Sequence, residues 1–207
     1  MIKPRSNQII HQFFSWYISR IIKGDFDRFE YNSIEIAEDK AVLLLANHFS
    51  WWDGFLLFHL NKIYIKKNFH VMILQDTAEK VKFLKYLGAF SIQRNAKSLM
   101  ESLQYAGELL DHPENLVLIF PQGELYSSHS TTIQFEKGLS RIIAASKKQF
   151  QYVFAAVLTD YFDRRKPSVK VYLEQWVAQE YNTLQVIKNA YNKHYERSIK
   201  QQTEVKV

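Results

Sequence analysis

The chain has 207 residues, of which 47% are hydrophobic and 15% aromatic, so it can bury the core of one globular domain and is not disordered. Lys and Arg outnumber Asp and Glu by 27 to 21, and the net charge of +6 favours anionic partners such as anionic lipid or an acidic carrier protein. Because there is no cysteine, the sequence excludes a thiol nucleophile, a cysteine-containing zinc site and a disulfide framework.

The positive charges are dispersed in small groups, such as Lys62 with Lys66 and Lys67. No group is long enough to form a nucleic-acid-binding tail, so nucleic acid is not an expected partner. The sequence shows no signal peptide, and no apolar run approaches the roughly 18 residues needed to cross a bilayer. If the protein works on lipids, we expect it to do so from the membrane surface.

Residues 1–24 are predicted to form an N-terminal amphipathic helix ahead of a domain of residues 25–207. Gly24 supplies a stop signal at its end. The helix either packs on the core of its own domain or lies in the headgroup layer of a membrane, for which Trp16, Arg20 and Lys23 are suited. Its apolar stripe consists of Ile9, Ile10, Phe13, Phe14, Tyr17, Ile18, Ile21 and Ile22.

Strand and helix signals alternate along the remaining chain. The continuous apolar run of residues 41–46 is typical of a buried central strand. The alternation indicates a single α/β domain in which helices cover a central sheet. The predicted strands are 26–31, 34–36, 41–46, 71–74, 90–92, 116–120, 152–158 and 168–173, and the predicted helices are 52–61, 80–87, 97–110, 137–147 and 183–200.

The segment from Asn47 to Gly54 carries the sharpest chemical signal. It starts where the buried strand ends and finishes where a helix begins, at the sheet edge where α/β sites usually lie. A tight turn would let Asp53 accept a hydrogen bond from one ring nitrogen of His48, leaving the other nitrogen as a base. Taken alone, the pair is equally consistent with a helix-capping Asp beside an ordinary His.

Four ordered blocks give this pair its context. The first, residues 47–54, resembles the Asn-His-x4-Asp signature of the glycerolipid acyltransferases, the lysophosphatidic acid and glycerol-3-phosphate acyltransferase superfamily. Residues 88–94 look like the second block, a Gly followed by a short strand and Arg94. Residues 120–124 look like the third, and residues 135–138 match the Phe-x-x-Gly that follows it. The resemblance covers about residues 40–160 and implies a mixed sheet flanked by helices.

The resemblance also implies an activity and its residues. His48 would be the general base and Asp53 its orienting partner, with acyl-CoA or acyl-carrier protein as co-substrate, a lysolipid as acceptor and no cofactor or metal. The implied setting is cytoplasmic, peripherally associated with the cytoplasmic membrane. Arg94 would bind an anionic part of the acceptor, because a guanidinium grips phosphate with two parallel hydrogen bonds. The remaining implied substrate-binding residues are Asn47, Phe120, Pro121, Gln122, Gly123 and Glu124.

The third block departs from the family pattern Phe-Pro-Glu-Gly-Thr. Gln122 replaces the Glu, Glu124 replaces the Thr, and Leu125 replaces the Arg that commonly follows. One expected cation is therefore missing near the acceptor, which makes a lysolipid with another head group, or another lipid alcohol or amine, plausible.

Two other functions are compatible with the sequence. One is a noncatalytic lipid-binding relative, favoured by the altered third block but not by the intact His48 and Asp53. The other is a thioester or ester hydrolase that uses the same pair with water, although the sequence lacks a Gly-x-Ser-x-Gly nucleophile elbow.

Overall fold

The computed structural model describes residues 1–93, 95–178 and 183–206. The described strands are β1 (Arg28–Tyr31), β2 (Ala41–Ala46), β3 (Asn68–Leu74), β4 (Ala89–Ile92), β5 (Asn115–Ile119), β6 (Phe150–Asp160) and β7 (Ser168–Trp176). The α-helices are α1 (Gln8–Asp25), α2 (Asp53–Leu60), α3 (Gln75–Lys80), α4 (Ala96–Leu109), α5 (Gly138–Ala145) and α6 (Leu184–Thr203). A π-helical turn spans Asn61–Ile65 and a 3₁₀-helix spans Lys82–Leu87.

The strands form one seven-stranded sheet in the order β1-β7-β6-β2-β5-β3-β4. Only β6 and β7 pair antiparallel, while the other neighbouring strands pair parallel. Parallel strands need long crossovers, here supplied by helices, whereas an antiparallel pair needs only a turn. The predicted fold class, a single α/β domain with a mixed sheet, flanking helices and an N-terminal helix, is therefore confirmed.

The two faces of the sheet carry separate apolar cores. Alternate residues of β2 point to opposite faces, so that both faces of this central strand are buried. One face packs against α1 and α2, with Ile18 and Ile22 among the buried side chains. The other face packs against α4, α5 and α6, where Tyr191 is fully buried.

Helix α1 divides its apolar stripe between the core and the surface. Ile18 and Ile22 are buried, and the Phe14 ring stacks on Phe83 of the 3₁₀-helix at a centroid distance of 4.0 Å. Phe13 and Trp16 remain more than half exposed, at 54% and 58%. One face of α1 thus packs on its own domain, and the opposite face is open. Within the described ranges no helix is long and apolar enough to cross a bilayer.

The helix predicted from residue 1 begins only at Gln8, after the N-cap Asn7. Two other predicted elements are wrong. Residues 34–36 form no strand, because side chains from elsewhere bind their backbone: Tyr64 bonds to both the N–H and C=O of Ile34, and Gln151 donates to Glu35. Residues 80–87 do not form one helix, because Val81 leaves helical geometry at φ −112° and ψ 71° between α3 and the 3₁₀-helix.

Gly88 ends the 3₁₀-helix at φ +89°. An added Cβ atom would lie 1.7 Å from the carbonyl oxygen of Phe69, far inside van der Waals contact. The first residue of the second sequence block is therefore a glycine for backbone reasons, since any side chain here collides with strand β3.

Candidate active site

His48 and Asp53 come together at the carboxyl end of β2. The Asp53 Oδ2 atom lies 3.1 Å from the His48 Nδ1 atom, and the two side chains are 5% and 23% exposed respectively. An ionised carboxylate only accepts hydrogen bonds, so this contact places the ring hydrogen of His48 on Nδ1. The Nε2 atom then carries the lone pair, and it has no hydrogen-bond partner among the residues that the structure describes.

Asp53 closes the turn that joins β2 to α2. Its Oδ2 atom also accepts the backbone N–H groups of Phe49 at 2.7 Å and Ser50 at 2.8 Å. Asp53 is the first residue of α2, where a carboxylate is favoured by the helix dipole. The spacing of five residues between His48 and Asp53 is the spacing that this turn requires.

Asn47 fixes the position of the turn against the sheet. Its side-chain amide donates to the carbonyl of Val157 at 3.0 Å and accepts the Val157 N–H at 2.8 Å. These bonds continue the pairing of β2 with β6 by one step, at the point where the β2 backbone turns away. Asn47 is fully buried, so both polar groups of its amide are committed to the backbone of β6.

The loop after β5 supports His48 from the other side. The ring of Phe120 stacks on the imidazole of His48 at a centroid distance of 4.1 Å. The buried side chain of Gln122 accepts the backbone N–H of His48 at 2.7 Å through Oε1. Gly123 adopts φ +70°, which turns the loop back, and a Cβ atom here would approach Glu136 Cγ to 3.1 Å. The imidazole is thus held by Asp53, by Phe120 and through its own backbone.

A cleft of about 960 Å³ opens beside His48. Its lining is mostly apolar and includes elements that no sequence motif marks, chiefly α2, β3 and the 3₁₀-helix. The apolar side chains on this part of the wall include Trp51, Phe55, Phe58, Phe69, Val71, Met72, Ile73, Leu74, Leu84 and Leu87. The only signal for this wall in the sequence is the apolar run directly after the His-x4-Asp motif, which sequence analysis assigned to a helix without assigning it to the site.

Charged residues line another part of the same cleft. Lys137 and Arg141 lie one helical turn apart at the start of α5, and Glu124 and Glu136 also contribute to the lining. All four are exposed. The cleft therefore offers an apolar wall beside a polar, solvent-facing rim, which is the character expected of a site for an amphipathic molecule.

The predicted site residues separate into two groups. Phe120, Pro121, Gly123 and Glu124 line the cleft together with His48. Asn47 and Gln122 were predicted to bind substrate, but they are buried and hydrogen-bonded to backbone outside the cleft lining. Their positions are those of residues that hold His48 in place. Arg94 lies outside the described residues.

Residues 28–158 match the family model described as Acyltransferase, which covers more than half of the chain. The chain belongs to the acyltransferase family. It is therefore an acyltransferase, as the sequence motifs predicted. The matched region contains β2, the turn with His48 and Asp53, and the loop with Phe120 and Gly123.

A solved structure of similar fold comes from Thermotoga maritima. It is the 1-acyl-sn-glycerophosphate (LPA) acyltransferase PlsC, which matches with a TM-score of 0.66 and 13% sequence identity over 95% of this chain and 80% of the PlsC chain. At this identity the likeness establishes the shared acyltransferase fold. A search of curated proteins finds no match to the chain.

Proposed function

We propose that this acyltransferase moves a fatty acyl group from acyl-CoA or acyl-carrier protein to a hydroxyl of a lysophospholipid or a related lipid acceptor. The observation that carries the proposal is the position of His48, which is held by Asp53 at 3.1 Å and lines a largely apolar cleft of about 960 Å³. A fatty acyl chain is the apolar substrate that suits such a wall. The similar structure is that of a 1-acyl-sn-glycerophosphate (LPA) acyltransferase, which supports a lysophospholipid acceptor here as well.

The chemistry follows from the arrangement of the imidazole. His48 Nε2 removes the proton from the acceptor hydroxyl as that oxygen attacks the carbonyl carbon of the thioester. Asp53 keeps the Nδ1 hydrogen in place and stabilises the imidazolium that forms. When the tetrahedral intermediate collapses, the carbon–sulfur bond breaks, an ester remains, and the sulfur takes the proton from Nε2 to leave as a thiol. The acyl group never becomes bonded to the enzyme, and no resident cofactor is needed.

The charged rim supports an acceptor with an anionic group. Leu125 stands where relatives commonly have an Arg, but Lys137 and Arg141 line the same cleft as His48. We assign these two cations to the acceptor head group, together with Arg94, whose expected role stays a prediction. An Arg and a Lys at the edge of a low-dielectric cleft attract a phosphate and also orient it.

The exposed face of α1 supports work at a membrane surface. Ring contacts lead from this face to the cleft: Phe13 contacts Phe14, Phe14 stacks on Phe83, Phe83 contacts Phe55, and Phe55 contacts Trp51. Trp51 lines the cleft and is 58% exposed. We therefore propose peripheral association with the cytoplasmic membrane, in an orientation that lets a lipid acceptor pass from the bilayer into the cleft.

Acyl transfer from radiolabelled acyl-CoA and acyl-carrier protein to a panel of lysolipids tests the proposal. We expect labelled diacyl product from the wild type and a loss of about 10²-fold or more for His48→Ala, the usual contribution of a general base. The matched control is His112→Ala, which removes an exposed histidine before β5 at the opposite end of the sheet.

Three outcomes of this assay contradict the proposal. Equal activity of His48→Ala and wild type would exclude His48 as the base. Release of free fatty acid at the same rate with and without acceptor would indicate the hydrolase instead. Absence of product from every donor and acceptor pair would contradict the proposed substrate class.

A further inference from the structure

A second pocket, of about 570 Å³, lies on the same face of the sheet but at the other end of β3. It is formed by residues 4–6, the start of α1, the π-helical turn with the residues after it, and the end of the 3₁₀-helix. The cleft beside His48 and this pocket share only Phe58, Phe69 and Leu87 in their linings. The pocket is therefore separate from His48 and is not used by the proposed reaction.

The ionisable lining of this pocket is basic. Its lining includes Arg5, Lys62, Lys66 and Lys67 with His11, and it includes no Asp or Glu in the part of the chain that the structure describes. Clustered cations repel one another and destabilise a fold unless something compensates them. This cluster of cations therefore lowers the stability of the folded protein unless an anion binds to it.

Compensation is incomplete at three of these cations. Arg5 and Lys66 have no side-chain hydrogen bond or ion pair within residues 1–93, 95–178 and 183–206. The Lys62 ammonium is held by neutral groups, the Ser15 carbonyl and the Ser19 hydroxyl, each at 3.1 Å. Lys67 differs, because its ammonium donates to the carbonyl of Pro113. It is also attracted electrostatically by the carboxylates of Asp39, Glu38 and Glu114.

The backbone that presents the lysines is fixed in place. The buried side chain of Asn61 donates to the Lys67 carbonyl at 2.7 Å and accepts the Lys67 N–H at 3.2 Å, which closes the segment into a ring. Lys66 takes the left-handed conformation at φ 62° and donates its N–H to the Asn61 carbonyl at 2.6 Å. On the other side, the Arg5 N–H bonds to the Lys85 carbonyl at 2.9 Å. The backbone positions that carry these cations are thus fixed relative to the pocket.

We propose that this pocket binds a soluble, phosphate-bearing anion. Arginine and lysine together with neutral donors are the groups that recognise phosphate oxygens. The volume exceeds that of a phosphate ion, which leaves space for the rest of an organic phosphate. The ligand would contact the wall of Phe58, Phe69 and Leu87, which also lines the cleft beside His48.

The geometry of α1 favours a soluble anion over a lipid headgroup. At about 100° per residue, His11 lies about 140–160° around the helix from Ile9, Phe13 and Trp16. Ser15, on the same side as His11, is buried, whereas those three side chains are exposed. The pocket therefore lies on the inner side of α1, away from the exposed aromatic face that we assign to the membrane.

Calorimetric titration with pyrophosphate at constant ionic strength tests this site in the 207-residue chain, without any activity readout. We expect the wild type to bind and the double variant Arg5→Gln/Lys66→Gln to bind about tenfold more weakly or worse, since it loses two charge-assisted contacts. The control Arg165→Gln/Lys166→Gln removes the same net charge from the exposed turn between β6 and β7 and should leave the affinity unchanged.

Two further measurements complete the test. Without pyrophosphate, the double variant should unfold at the wild-type temperature or above, because repulsion between cations is relieved. Pyrophosphate should raise the Tm of the wild type and of the control more than that of the double variant. Vesicles containing phosphatidylglycerol should bind wild type and double variant equally. Failure of pyrophosphate to bind the wild type, equal weakening in both charge variants, or selective loss of vesicle binding in the double variant would each overturn the proposal.

Discussion

Gln122 acts on His48 through the backbone. Its Oε1 atom accepts the His48 N–H at 2.7 Å in a buried position, and a Glu at this position would offer the same acceptor. We therefore predict that Gln122→Glu keeps most of the acyltransferase activity, whereas Gln122→Leu leaves a buried N–H unsatisfied at a cost of about 1–3 kcal/mol. Displacement of the imidazole should then lower kcat by about tenfold to a hundredfold with a smaller change in KM.

Steady-state kinetics of the two variants, with circular dichroism to confirm folding, check this prediction. Glu keeps an acceptor oxygen at this position and Leu does not, so the pair tests the hydrogen bond to the His48 N–H. A kcat for Gln122→Leu equal to that for Gln122→Glu would show that the bond does not position His48.

At the residue scale, the spacing of residues along the sequence predicted contacts within one turn but not contacts between distant segments. His48 and Asp53 are five residues apart, so that a single turn decides their contact and the sequence pattern was sufficient to predict it. Asn47 bonds to Val157 across 110 residues, and Gln122 reaches His48 across 74. Such partners depend on the order of strands in the sheet, and the motif therefore marked both residues without revealing what they bind.

At the scale of single elements, α1 carries the next prediction. Phe13 and Trp16 are 54% and 58% exposed, and their transfer into the interfacial layer removes apolar surface from water. We expect Phe13→Ser/Trp16→Ser to weaken sedimentation with vesicles by about tenfold or more. Folding should not change, because neither side chain is part of the buried core.

The matched control for α1 is Tyr161→Ser/Val177→Ser, which removes side chains that are 71% and 77% exposed elsewhere on the surface. It should bind vesicles as the wild type does. Equal weakening by the two double variants would indicate nonspecific hydrophobic adhesion, and no weakening by the α1 variant would place the membrane contact on another element.

The central strand β2 was easy to predict, whereas the segment of residues 34–36 was not. The bounds of β2 agree with the prediction because a fully apolar run of six residues fits a central strand. Residues 34–36 alternate apolar and charged side chains as a strand would, but Tyr64 and Gln151 bind the backbone of this segment and take the place of a neighbouring strand. The hydrophobic pattern indicates which side chains are buried, but it does not indicate which groups form hydrogen bonds with the backbone.

At the scale of the whole molecule, buried histidines link stability to pH. Burial lowers the pKa of His59, and Lys62 and Lys23 lower it further. Burial also lowers the pKa of His70, although a hydrogen bond with the Asn115 side chain acts to raise it. The unfolded chain, with ordinary histidines near 6.5, therefore binds more protons than the native protein in mildly acidic solution. The free energy of unfolding should be constant above about pH 7 and fall as the pH drops toward 5.

The variant His59→Asn isolates one of these contributions. The Ser19 hydroxyl donates to the Ser15 carbonyl, so its contact with His59 Nδ1 at 3.2 Å uses a ring N–H as donor, and an Asn amide can replace that donor without titrating. Urea denaturation at pH 7.5 and 5.5 should show a smaller loss of stability on acidification in His59→Asn than in wild type. The exposed control His112→Asn should lose as much stability on acidification as the wild type does. If His59→Asn also lost as much stability as the wild type, His59 would be protonated as readily in the folded protein as in the unfolded chain.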